Sequence, residues 1–179
     1  MQELINQMLL GQYEAALSML KDAIASCPAE HWEKKVANDP ARFIAFHTLY
    51  CTDIYLSKSE SAFESHEFVI EGRGLPFGQP LSEGKLPPGL TQPRAIEYAD
   101  FCIAKARAVL AGESEADLAG DNGFGRPFSR AEMHIYNIRH IQHHTGALSA
   151  HIRRLSPEFP NDGMDWIDSG TSRTDGDGG

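Results

Sequence analysis

The stretch SRAEMHIYNIRHIQHHTGALSAHIRRL, residues 129–155, is typical of one long amphipathic helix. It opens on an SxxE capping box, in which Ser129 and Glu132 bond the unsatisfied amide groups at the start of a helix. Its apolar residues then recur at helical spacing and are predicted to face a core. They include Ile141, Leu148 and Ile152. A chain organised around such a helix is predicted to belong to the all-α class.

Five of the eight histidines lie inside this stretch, between His134 and His151. His140 and His144 are four residues apart, so on a helix they share one face with Cβ atoms roughly 5–6 Å apart. Two imidazoles at that spacing can reach one cation, and the pair therefore predicts a metal site. Ile141 stands where zinc proteases of the HExxH type carry their catalytic glutamate, so the pattern excludes that class.

Three further helices are predicted upstream. The first runs from residue 3 to about residue 26. The second begins with Asp39 as N-cap and Pro40 at the first helical position, and the third has Thr91 as N-cap and Gly112 at its end. The apolar stripes of the three helices are Leu9, Tyr13, Leu17, Leu20 and Ile24; Phe43, His47, Tyr50, Cys51 and Ile54; and Ile96, Ala99, Ile103, Ala106 and Leu110.

Four amphipathic helices joined by one long connection predict a four-helix bundle over residues 1–156. Residues 157–179 form an acidic C-terminal tail, whose last part is too polar and glycine-rich to order itself and is predicted to be disordered. In the connection between the second and third helices, residues 57–90, only HEFVI (66–70) resembles a short strand or extended piece. Because connections of this length usually serve a site, we expect a wall or lid over the metal. Its apolar anchors would be Phe63, Phe68 and Phe77.

A third metal ligand is expected from another helix, because bundle cores hold metals between facing helices. His47 is the histidine outside the last helix that periodicity places on an apolar face. Cys51, one turn later, is a candidate fourth ligand or a thiol acting beside the metal, although a buried inert cysteine is the commoner case. His143 is expected to flank the site, and His151 to serve packing or a subunit contact. The remaining histidines, His31, His66 and His134, are expected at the surface.

Composition and charge exclude several classes of protein. A chain of 179 residues with 41% hydrophobic residues is ordinary for one soluble domain. The formal net charge of −9 disfavours a nucleic-acid or anionic-membrane binder. The N-terminus has neither the basic flank nor the apolar stretch of a signal peptide, and the three cysteines form no CxxC pair. We therefore expect a cytoplasmic protein with reduced thiols.

With these motifs the chain resembles the DinB-like (damage-inducible B) superfamily of metal-binding four-helix bundles. That family carries an inward histidine on its second helix, matched by His47 in FIAFHTLY, and HxxxH followed by glycine on its fourth, matched by His140, His144 and Gly146 in RHIQHHTGAL. The resemblance covers residues 1–155. It implies a divalent metal, most often zinc or nickel, held by three histidines with an open position, and bundles that often pair as homodimers.

The resemblance also suggests a chemistry. Characterised relatives include enzymes that use a low-molecular-weight thiol for S-transfer or isomerisation. The first hypothesis is therefore a metal-dependent enzyme that activates a thiol or water nucleophile on a small-molecule substrate. The alternatives are a non-enzymatic metal-dependent binding or stress-response protein, and a bundle whose metal is purely structural. No residue stands out as a dependable general base, so the catalytic residues are left open.

Overall fold

In a computed structural model of the protein, residues 2–36, 39–72, 89–155 and 167 are described, and they are mostly helical. The predicted all-α class is thus confirmed. The helices are α1 (Gln2–Ser26), α2 (Ala41–Leu56), α3 (Glu67–Gly72), α4 (Gln92–Gly112), α5 (Glu115–Ala119) and α6 (Arg130–Leu155). A 3₁₀ turn at Ala29–His31 and two paired strands of two residues each, β1 (Lys35–Val36) and β2 (Asp39–Pro40), lie between α1 and α2.

The four long helices pack around one hydrophobic core. α1 and α2 each contact both α4 and α6. The predicted stripe of α1, from Leu9 to Ile24, is buried throughout, and the predicted apolar residues of α6 are fully buried. On α4 the buried face is rotated slightly from the predicted one, since Ala95, Tyr98 and Cys102 are buried while Ile96 and Ile103 lie at its edge.

The ends of α1 and α4 bond each other's unsatisfied carbonyl groups. At one end, Asn6 of α1 donates through Nδ2 to the carbonyl of Leu110, 2.8 Å away. At the other end, Gln92 of α4 donates through Nε2 to the carbonyls of Ile24 and Cys27. The last four carbonyls of a helix have no partner within the helix, so these side chains stabilise both ends. The pattern also makes the two helices antiparallel neighbours.

A single arginine joins α2 to α6. Arg130, the first residue of α6, donates to the carbonyls of Tyr55, Leu56 and Ser57 at distances of 2.8–3.1 Å. Its Nε lies 2.8 Å from a carboxylate oxygen of Glu113, which follows α4. We call this arrangement the Arg130 clamp. It holds the end of α2 against the start of α6 and so makes these two helices antiparallel.

His134 belongs to the interior, so its expected surface position is wrong. Its side chain is fully buried, with Nε2 lying 2.7 Å from Glu113 and Nδ1 lying 3.0 Å from the hydroxyl of Tyr13. Burial would raise the pKa of Glu113, but the hydrogen bonds and charges of His134 and Arg130 outweigh it and hold that pKa below its usual value. The sequence signal was the seven-residue interval from His134 to Ile141, which places both on one helix face.

Two local predictions are also wrong. Asp39 does not cap α2, because its backbone pairs with Val36 in the short ladder and Pro40 stands at the N-cap position instead. The segment HEFVI is not a strand, since its residues from Glu67 onward lie in α3. There Phe68 stacks on Tyr98 of α4, with ring centroids 4.9 Å apart, and this tertiary contact overrides the β preference of the sequence.

The predicted lid is only partly described. Phe63 packs edge-on against Tyr50 of α2, with centroids 5.6 Å apart, and Phe68 packs on α4. The described part of the connection therefore follows the faces of α2 and α4. Residues 73–88, including Phe77, lie outside the described residues, as does the C-terminal tail apart from Ile167. Within the described ranges, no helix combines the length and apolar character needed to cross a membrane.

The loop between α5 and α6 is built around one buried asparagine. The side chain of Asn122 donates to the carbonyls of Arg126 and Phe128 and accepts hydrogen bonds from the amides of Phe124 and Arg126. Gly123 and Gly125 adopt left-handed φ angles of 76° and 63°. Gly123 also lies against the backbone of Lys58, whose carbonyl oxygen would be 1.9 Å from an added Cβ. The loop is therefore fixed both internally and against the end of α2.

Gly123→Ala should destabilise the protein more than Gly125→Ala. Both variants place a side chain at a positive φ angle, which costs roughly 1–2 kcal/mol. Only Gly123→Ala must also displace the carbonyl of Lys58, which adds about 1–3 kcal/mol of overpacking. Urea unfolding of both variants measures the difference. Equal losses of unfolding free energy would show that the contact with Lys58 does not restrain the loop.

Candidate metal centre

Three histidine rings from two helices converge in the groove between α2 and α6. The ring centroid of His47 lies 5.2 Å from that of His140 and 4.7 Å from that of His144. The rings of His140 and His144 are 4.4 Å apart. The sequence predicted these three residues as one group, and the structure brings them together.

The position of the rings follows from the helix faces. Ile141 and Thr145 belong to the buried stripe of α6, and His140 and His144 lie at the edge of this stripe, half-buried. His47 is also half-buried, at the edge of the face that α2 turns to the core. The three rings therefore lie at the border between the core and the solvent, where a small molecule can approach from one side.

The thiol of Cys51 lies beside the histidines. Its Sγ is 3.8 Å from Nδ1 of His47, one helical turn away. Ligand atoms of His47, Cys51 and His140 all lie within 4.8 Å of one another, close enough to share one cation. Burial raises the pKa of Cys51 to about 12, so without a cation nearby it is a neutral thiol at pH 7.

The surroundings of the three histidines favour the unprotonated, neutral form of their imidazole rings. Burial, reinforced by the neighbouring histidines, lowers the pKa of both His140 and His144 to about 4. Burial also lowers the pKa of His47, against the opposing charge of Asp39. Neutral imidazole is the form that binds metals, because protonation occupies the lone pair that would ligate. The site thus presents three neutral imidazoles at pH 7.

One ring nitrogen of this three-histidine group is buried without a hydrogen-bond partner among the described residues. Nδ1 of His140 is buried and has no hydrogen-bond partner within the part of the chain that the structure describes. A buried polar atom without a partner costs free energy unless a ligand or ion satisfies the site. The donor set therefore fits a metal ion for which imidazole is a preferred ligand.

Aromatic rings form the walls of the site. Phe43 stacks on the ring of His47, with centroids 6.2 Å apart. On the other side Tyr136 lies nearly parallel to His140, with centroids 6.5 Å apart, and Tyr55 packs edge-on against Tyr136. The hydroxyl groups of the two tyrosines hydrogen-bond to each other, and burial raises the pKa of Tyr55 to about 12. These three half-buried aromatic residues border the histidine group.

The other histidines lie away from this group. His143 is exposed, with its ring 4.9 Å from that of His144, so it flanks the site as predicted. His151 is buried near His31 and the backbone of Lys34, which agrees with packing and leaves it unable to supply a subunit contact. His31 is buried too, so its expected surface position is wrong.

A buried acidic residue on α2 was not predicted from the sequence. Asp53 is fully buried and accepts hydrogen bonds from Lys105 at 2.6 Å and from Tyr98 at 2.7 Å. Nε2 of His66 lies 2.6 Å from the same carboxylate, so His66 is not a simple surface residue as expected. The three partners come from distant parts of the chain, and no local spacing links them to Asp53. The cluster ties α2 to α4 and to the segment before α3.

Comparison of the chain with known protein families, curated proteins and solved structures gave no match. The resemblance to the DinB-like superfamily therefore rests on the motif residues themselves.

Proposed function

We propose that the protein is a divalent-metal-binding four-helix bundle of the DinB-like type, with His47, His140 and His144 as ligands. The convergence of three neutral imidazoles from α2 and α6 supports this proposal most directly. The packing of α1 and α2 against both α4 and α6 supports the bundle architecture. Zinc or nickel is the expected ion.

The geometry favours an enzyme over a structural site. A structural zinc is normally enclosed by four protein ligands, whereas three histidines at a half-exposed groove leave a position for an exchangeable ligand. When bound, the ion would supply Lewis-acid chemistry that lowers the pKa of a thiol or water nucleophile. The three neutral histidines would hold the ion without cancelling its charge. Phe43, Tyr55 and Tyr136 limit water and orient a small-molecule substrate against the rings.

The proposed reaction class is transfer of a group to or from the sulfur of a low-molecular-weight thiol. Protein purified without chelators, analysed by native mass spectrometry and elemental analysis, tests whether one metal ion is bound per chain. A screen of thiol cofactors for metal-dependent S-transfer then tests the activity. Absence of bound zinc or nickel after incubation with either ion would contradict the metal proposal, and metal binding without any thiol-dependent turnover would favour a binding protein.

A closed structural metal is the second candidate, because Cys51 lies within ligand distance of His47 and His140. Under the three-histidine proposal, Cys51→Ala should change the affinity for zinc less than about tenfold. If Cys51 is a fourth ligand, the loss should be at least about 100-fold, since even indirect partners of a ligand contribute 10–100-fold. Competition with a chromophoric chelator measures the affinity.

Cys102→Ala is the matched control for this experiment, because Cys102 is also a buried thiol but bonds the carbonyl of Leu49 away from the histidines. The absorption spectrum of the cobalt-loaded protein gives an independent test of whether Cys51 is a ligand. A sulfur-to-cobalt charge-transfer band in the native protein that disappears in Cys51→Ala would assign the thiol as a ligand and overturn the open-site proposal.

Two further expectations remain proposals. The cysteines are buried and not joined in disulfides, which suits a reducing compartment such as the cytoplasm. A homodimer would use an exposed small-residue face of α6 at Ala147 and Ala150, without His151.

A further inference from the structure

The loop between α5 and α6 places a cation beside the proposed metal centre. The guanidinium carbon of Arg126 lies 5.5 Å from the ring centroid of Tyr136. Tyr136 in turn lies nearly parallel to His140, at an interplanar angle of 17°. The ring of Tyr136 therefore neighbours both the guanidinium and a proposed ligand.

The backbone of Arg126 is fixed although its side chain is exposed. Asn122, which is fully buried, donates to the carbonyl of Arg126 at 2.9 Å and accepts a hydrogen bond from its amide at 3.4 Å. The left-handed conformations of Gly123 and Gly125 shape the same turn. Binding of a ligand therefore needs no ordering of this backbone, and the contact with Tyr136 favours a side-chain position beside the ring.

Among the described residues, no acidic side chain pairs with Arg126. Within the described ranges it forms no ion pair, whereas several other arginines do: Arg42, Arg94, Arg107 and Arg130. Its charge also acts on the hydroxyl of Tyr55, whose pKa it lowers against the larger effect of burial. In a chain of net charge −9, a cation at the rim of the site counters the general repulsion of anions.

We propose that Arg126 is a specificity-determining residue that binds a carboxylate of the substrate, so that the site accepts small organic anions. The reacting end of such a molecule would lie at the histidines, and its carboxylate would meet the guanidinium across Tyr55 and Tyr136. Arginine suits this role because its planar fork donates two parallel hydrogen bonds to a carboxylate. The inference rests on the proposed metal-binding function.

The test uses cobalt-loaded protein and two matched thiols. The probes are 3-mercaptopropionate and its neutral analogue 3-mercapto-1-propanol, titrated by the cobalt–thiolate absorption band and by calorimetry. The native protein should bind the carboxylate at least about tenfold more tightly than the alcohol. Arg126→Gln should lose that preference while binding the alcohol within about twofold of the native protein. Arg126→Lys should keep part of the preference, because it retains the charge but not the fork.

Arg153→Gln is the control for net charge, since Arg153 is exposed near the end of α6 and should leave both affinities unchanged. Cobalt content, measured for every variant, separates two failures. If the native protein binds no cobalt, the metal proposal itself is contradicted. Full cobalt binding without a carboxylate preference in the native protein, or with the preference retained in Arg126→Gln, would overturn the role of Arg126 and leave the metal proposal standing. Failure of both thiols to bind would also overturn it.

Discussion

Replacing His140 by alanine should lower the affinity for zinc by at least about 100-fold, with similar losses for His47→Ala and His144→Ala. Removing a direct ligand should exceed the 10–100-fold effect of removing an indirect partner. The physical reason is that each residue contributes one of three imidazoles whose ring centroids lie within 4.4–5.2 Å of one another. Native mass spectrometry and chelator competition measure occupancy and affinity.

His143→Ala is the matched control, because His143 is exposed beside His144 and should keep the metal. His134→Ala is unsuitable, since His134 is buried between Glu113 and Tyr13 and its loss would disturb the fold. Full metal occupancy in His47→Ala would remove α2 from the site and contradict the proposed ligand set.

Arg130→Met should lower the free energy of unfolding by about 3–5 kcal/mol, the cost of leaving one partner of a buried ion pair uncompensated. The side chains of Arg130 and Glu113 are 4% and 9% exposed. The variant also removes the donors of the carbonyls that end α2. Urea unfolding followed by circular dichroism measures the loss.

Lys21→Met is the control, because the ion pair of Lys21 with Asp100 is solvent-exposed and should contribute less than about 1 kcal/mol. The pH dependence gives a second check. Because its pKa is lowered in the folded protein, ionised Glu113 stabilises the fold at pH values above its usual pKa of 4.5. This contribution is lost as the pH falls through the lower folded-state pKa. Arg130→Met removes one cause of that lowered pKa, so the variant should lose less stability than the native protein as the pH falls below 4.5. If Arg130→Met lowers the free energy of unfolding by less than about 1 kcal/mol, no more than an exposed ion pair contributes, the Arg130 clamp is dispensable.

Local signals predicted much of the helical structure. The SxxE box of α6 forms as expected, with the amide of Ser129 bonded to Glu132 at 2.9 Å, and Thr91 caps α4 through the amide of Arg94. The HxxxH spacing together with one histidine on an apolar face predicted that the three rings lie close together, as they do, and their binding of a metal stays a prediction. These features depend on residues within a few positions of one another, or on one helix face.

Features that depend on distant partners could not be predicted in this way. His134 is buried because Glu113, 21 residues earlier, satisfies it. Asp53 is buried because Lys105, His66 and Tyr98 surround it. The sequence GDNGFGRP gave no indication that Arg126 would lie over Tyr136, because that contact depends on how the loop folds against α2 and α6.

The Arg130 clamp also fixes one point from which the positions of both ligand-bearing helices can be measured. His47 precedes Leu56 by nine residues, and His140 follows Arg130 by ten. At 1.5 Å per residue, both rings lie about 14–15 Å along antiparallel axes from the same point, so they meet at the same height. Inserting one residue in either interval would shift its ring by about 1.5 Å and turn it by about 100°. The length of chain between clamp and ring is thus as much a part of the site as the histidines.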